Sequence, residues 1–152
     1  MKSFDLVAAC VADMEEVGYS VPAIEADTSD CDWSYTIGLH RTFDHPELIL
    51  IGLDAPLAGA VLEYLCQQVV DGVEFAPSSA TGFGPLRLRF RTVDGIFRSH
   101  SEWFGLGREL LARYGEAWPP TLQVLWADRD GDYPVRPGDP SWMLRQPLLA
   151  EI

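Results

Sequence analysis

The segment 40–47 holds His40, Arg41, Asp44, His45 and Glu47, side chains whose types and spacing could support proton transfer. An imidazole titrates near neutrality, so a carboxylate beside it poises the ring as an acid, a base or a metal ligand. His45 with Glu47, or with Asp128 from farther along the chain, would form a general acid–base set, and His100 is a further partner. The structural alternative is that a His-Pro opening a strand uses its ring to hydrogen-bond backbone and hold a turn. No spacing matches HExxH or paired CxxC motifs, so no metal ligand is assigned, and no cofactor either. Cys10, Cys31 and Cys66 are odd in number and are read as free thiols. Ser34 lacks the Gly-x-Ser-x-Gly frame of an activated serine.

Two other groups of side chains carry recognition chemistry. Arg87, Arg89 and Arg91 alternate with Leu86, Leu88 and Phe90, so a strand would raise three guanidinium forks on one face. In a chain with 23 acidic and 11 basic residues, their expected partners are the protein's own carboxylates. Trp33, Tyr35 and Trp126 have the size and polar handle of core aromatics. Trp33 and Phe43 also flank the histidine segment and Phe83 lies in a glycine-rich one, so these rings could instead line a pocket for a planar ligand.

These side chains need elements to position them. Phe4, Val7, Val11 and Met14 recur at helical spacing between Ser3 and Gly18, predicting a helix over 3–17. An edge strand over 19–24 follows, marked by Pro22, then an acidic surface loop over 25–32. Strands at 34–38 and 48–53 enclose the histidine loop. Asp54 is expected to cap a helix over 55–71 with Pro56 in its first turn, and 76–85 to be a flexible loop. The alternation at 86–93 predicts a strand. Ser99 to Glu102 has capping-box spacing for a third helix over 100–114, and 122–126 reads as the last strand. The stretch from Asp128 to Gln146 should run as ordered loop pinned by Trp142, Leu148 and Leu149. The expectation is a single α+β domain over 1–152, with a mixed or mainly antiparallel sheet of about five strands packed by about three helices.

The net charge of −12 repels phosphate backbones, which argues against nucleic-acid binding and leaves a basic protein partner as an option. No run approaches the roughly 20 apolar residues of a bilayer span, and the start is not that of a signal peptide, so a cytoplasmic protein without membrane association is expected.

The motifs Tyr35-Thr-Ile-Gly-Leu39, His45-Pro-Glu47, Gln123-Val-Leu-Trp-Ala-Asp128 and Gln146-Pro147 together resemble the bacterial domain-of-unknown-function 4262 family over nearly the whole chain. The resemblance brings no activity with it. The favoured expectation is a small-ligand or peptide-binding domain using Trp33, Tyr35, His40, Arg41, Phe43, Phe83, Gln123 and Trp126, in a pocket between the 39–47 loop, the 76–85 loop and Asp128. The alternatives are a hydrolase or general acid–base enzyme using His45 with Glu47 or Asp128, and an acidic interaction or immunity-type protein. His45 should be at least partly buried and hydrogen-bonded, with Gln123 and Asp128 in its neighbourhood.

Overall fold

The computed structural model describes residues 3–24, 32–100, 102–142 and 145–150. Cys31, most of the acidic 25–32 loop and the side chains of Phe4 and His100 lie outside the described set.

Among the described residues, six strands form one mixed sheet: β1 (Ala23–Ile24), β2 (Trp33–Tyr35), β3 (Glu47–Ile51), β4 (Ala80–Phe83), β5 (Leu86–Thr92) and β6 (Thr121–Trp126), in the order β1-β2-β3-β6-β5-β4. Every neighbouring pair is antiparallel except the central one, where β3 runs parallel to β6 with Glu47 opposite Thr121 and Ile49 opposite Gln123. All residues of these two strands are buried, as expected of a pair covered on both faces. β5 keeps the alternation its sequence announces, with Leu88 and Phe90 buried and Arg87 and Arg89 exposed.

Five helices among the described residues cover the sheet: α1 (Ser3–Val17), α2 (Leu39–Phe43), α3 (Ala55–Val70), α4 (Gly95–His100) and α5 (Gly105–Ala112). The pleat sends alternate side chains into two cores. Leu48, Leu50, Leu88, Phe90, Val124 and Trp126 meet Val61, Leu62 and Leu65 of α3. Tyr35, Ile37, Ile49 and Ile51 meet Val7 and Cys10 of α1, Leu110 and Leu111 of α5, and Trp118. Burial of each large aliphatic side chain contributes about 1.5–3 kcal/mol.

The α+β class and the single mixed sheet agree with the sequence reading, with six strands and five helices in place of five and three. Several local expectations change. The histidine loop contains the one-turn helix α2, and residues 80–83 pair with β5 as a strand where a flexible loop was expected. Ser99 does not open a helix: it lies inside α4, where its hydroxyl donates to the Gly95 carbonyl, and a 3₁₀ turn at Glu102–Phe104 separates α4 from α5. Asp54 precedes α3, but its carboxylate makes no capping hydrogen bond; its carbonyl accepts from Ala58 N–H instead. The long last loop is pinned as expected, Trp142 in the first core and Leu149 in the second.

Candidate functional site

His45 follows Asp44, which closes α2 in the left-handed region at φ 54. Its ring is buried, and both nitrogens are engaged. The Pro46 carbonyl can only accept, so Nδ1 donates to it at 2.8 Å; Phe75 N–H can only donate, so Nε2 accepts from it at 2.9 Å. These two bonds select the neutral Nδ1–H tautomer and tie the segment after α3 to the start of β3. The expected burial and hydrogen bonding of His45 are therefore met by backbone, not by a carboxylate.

Glu47 turns to the other partners of its loop. Oε1 accepts from the Thr36 hydroxyl at 2.7 Å and Leu39 N–H at 3.1 Å, while Oε2 accepts from Gly38 N–H at 2.8 Å and His40 N–H at 3.4 Å. The carboxylate thus collects the free N–H groups that open α2, the role an N-cap side chain normally fills. Gly38 sits at φ 111, and a Cβ there would lie 2.6 Å from the Gly18 carbonyl oxygen, so only glycine fits. Complete burial pushes the Glu47 carboxyl up to about 7, against the downward pull of its four hydrogen bonds.

The remaining motif residues are also spent on backbone. Gln146 meets Trp126 as a strand would, accepting from its N–H at 2.8 Å and donating to its carbonyl at 2.9 Å. Gln123 donates to the Pro147 carbonyl at 2.7 Å and accepts from Leu149 N–H at 2.8 Å. The Gln146 amide extends the ladder of β6 on the side away from β5, beyond the register β3 pairs with, and the Gln123 amide anchors the last loop beside it. The Tyr35 hydroxyl accepts from Gly107 N–H at 2.9 Å, and burial raises its pKa well beyond the usual phenol range. The Trp126 indole donates to the Ile51 carbonyl and that of Trp33 to the Trp103 carbonyl. Phe43 packs against the first core, and Phe83 packs edge-on against Tyr64.

A site uniting His45, Glu47, Gln123 and Asp128 does not form. Gln123 faces the second core while His45 packs on Phe75 of the first, and Asp128 lies past the opposite end of β6 from the β3 start. Asp128 Oδ1 accepts from Asp130 and Asp132 N–H groups and Oδ2 faces Arg145 at 3.6 Å. These contacts, led by the Asp132 amide, lower its carboxyl below the usual range. Its carboxylate, with those of Asp130 and Asp132, forms an acidic cluster within 4.8 Å.

The arginine stripe is held differently from expectation. Arg89 stacks over the Tyr133 ring at 4.9 Å and Arg91 reaches the Val135 carbonyl at 3.5 Å. Among the described residues, neither they nor Arg87 join an ion pair; the salt bridges are Arg41–Glu116, Arg136–Asp139 and Arg145–Asp128. The last loop lies across this face, so a ring and a carbonyl take the place the carboxylates were to fill.

Concave surface collects elsewhere. A cleft of about 610 Å³ opens between α4, α5 and the 116–118 segment, lined by Arg98, Ser99, Arg108, Glu116 and Trp118. A second, of about 330 Å³, shares Glu116, Ala117 and Trp118 with it and reaches His40 and Arg41. Arg41 is paired with Glu116 at 3.0 Å and lies over the Tyr114 ring at 4.3 Å. Phe83 and Asp128 line a separate cleft of about 390 Å³ with Leu57, Pro85 and Arg129. Of the expected ligand residues, His40 and Arg41 thus line one region and Phe83 another, while Trp33, Tyr35, Phe43, Gln123 and Trp126 line none of these clefts. Arg98, Arg108 and Trp118 were missed, because their charges and ring fall on unrelated elements with no shared spacing.

No helix among the described residues is long and apolar enough to cross a membrane. In comparison with known proteins, a family model described as a domain of unknown function, DUF4262, matches residues 13–140. No curated protein and no solved structure matches the chain.

Proposed function

We propose, on the premise that the chain belongs to the DUF4262 family and inherits no described activity from it, that the domain binds a small molecule in the double cleft between α2, α4 and α5. The observation that carries this reading is the contrast in how polar groups are used. Those of His45, Glu47, Gln123 and Gln146 are consumed by backbone, whereas the side chains of Arg98, Arg108 and His40 line concave surface and make no ion pair or hydrogen bond among the described residues. The cleft volume lies within the range of small-molecule sites, which bind through a few convergent polar groups. The general acid–base reading gains less support, since both His45 nitrogens and both Glu47 oxygens are already engaged. Free buried thiols at Cys10 and Cys66 support a reducing, cytoplasmic setting.

A library of neutral, cationic and anionic metabolites screened by two-dimensional NMR tests the proposal. Binding should shift the Trp118 indole and the amides of α4 and α5 together. Shifts confined to Phe83, Gly84 and Arg129 would move the site to the other cleft and overturn it.

A further inference from the structure

We infer that the double cleft takes an oxyanion, a carboxylate or phosphoryl group on a compact organic molecule, read by Arg98 and Arg108; this rests on the ligand-binding reading above and names its ligand class. The first observation is an unmet donor. The Arg98 Nε is buried and has no hydrogen-bond partner, one of two such side-chain atoms among the described residues, and the other, Gln68 Nε2, belongs to a residue of α3 away from this cleft. A buried N–H of a charged group is costly to leave unpaired, and the residue that carries this one lines the cleft, so an acceptor belongs beside it.

The second observation is the charge balance of the wall. Its carboxylate, Glu116, is engaged by Arg41, while Arg98 and Arg108 join no ion pair among the described residues. Two arginines that join no ion pair among the described residues therefore line the cleft of a chain that carries −12 overall. Concave walls with one sign of charge concentrate counter-ions, and the guanidinium fork matches the paired oxygens of carboxylates and phosphates. The Ser99 hydroxyl spends its proton on the Gly95 carbonyl, which leaves the guanidinium N–H groups as the donors on that side.

The test follows the Arg Nε–Hε resonances of the full chain while inorganic phosphate or succinate is added. Saturable shifts at Arg98 and Arg108 are expected with at least one of them. Phosphate alone would identify a phosphoryl ligand, succinate alone a carboxylate, and either result supports the inference. Arg98→Gln and Arg108→Gln should each weaken binding about tenfold, while Arg129→Gln leaves it unchanged. Should a variant fail to fold, the wild-type titration decides alone. Absence of shifts with both anions, or equal binding by folded Arg98→Gln and Arg108→Gln proteins, overturns the inference. Neutral or cationic compounds that shift Trp118 while both anions do not would overturn the anion assignment and leave the ligand-binding reading standing.

Discussion

Replacing Glu47 with Gln separates the two forces acting on the buried carboxyl. In one orientation the new amide NH₂ meets Leu39 N–H, and in the other it meets Gly38 and His40 N–H, so at least one backbone donor loses its acceptor. That loss costs about 1–3 kcal/mol. The protonated acid avoids it, because its O–H can turn to Thr36 Oγ1 while its oxygens still accept. The folded carboxyl titrates at about 7 against an ordinary 4.5, so between these values the native state holds a proton that the unfolded chain releases. Stability from this group is full below about pH 4.5 and falls as pH rises through 7, by about 3 kcal/mol in all. Equilibrium urea unfolding of both proteins at pH 5 and pH 8 should therefore show Glu47→Gln less stable at pH 5, and the difference shifting in its favour by about 2.5 kcal/mol at pH 8, enough to close or reverse the gap. Taking the difference removes the other 22 acids, common to both proteins, to first order. A gap that stays constant or widens with pH would refute the reasoning, since it would mean the four donors outweigh burial and hold the anion.

Three further substitutions test the backbone clips. His45→Ala leaves Phe75 N–H and the Pro46 carbonyl without partners and opens a void, so denaturant unfolding should register a loss of about 2–4 kcal/mol. Gln146→Ala removes both partners of the Trp126 main chain; a loss of about 2–3 kcal/mol is expected, with faster hydrogen exchange at the Trp126 amide. Gly107→Ala would drive a methyl group into the Trp118 and Tyr35 rings, and calorimetry should show destabilisation of about 1–3 kcal/mol.

What was legible in the sequence was whatever repeats locally. The 3.6-residue period of α3 and the strict alternation of β5 announced themselves, and with them the α+β class. The helix α2 was not legible because its five residues make little more than one turn, and its initiating acceptor, Glu47, lies downstream of the helix it opens. The Ser99–Glu102 spacing misled because Asp94 starts the helical turn earlier, its carbonyl accepting from Phe97 N–H. The motif polar residues resembled chemistry for a physical reason: His, Glu and Gln amid apolar neighbours are as suited to satisfying buried backbone as to catalysis. Only their distant partners, such as Trp126 for Gln146, decide between the two.

The parallel pairing of β3 with β6 also dictates the order in which the molecule can be made. Everything between Ile51 and Thr121 must leave the ribosome before the central pair can close, and the Gln146 amide that completes the β6 ladder emerges later still. Such distant pairings carry a loop-closure cost and slow folding. Until then the apolar edge of β3 is an open template for other nascent chains, so the growing protein passes through an interval of exposure that its finished form conceals.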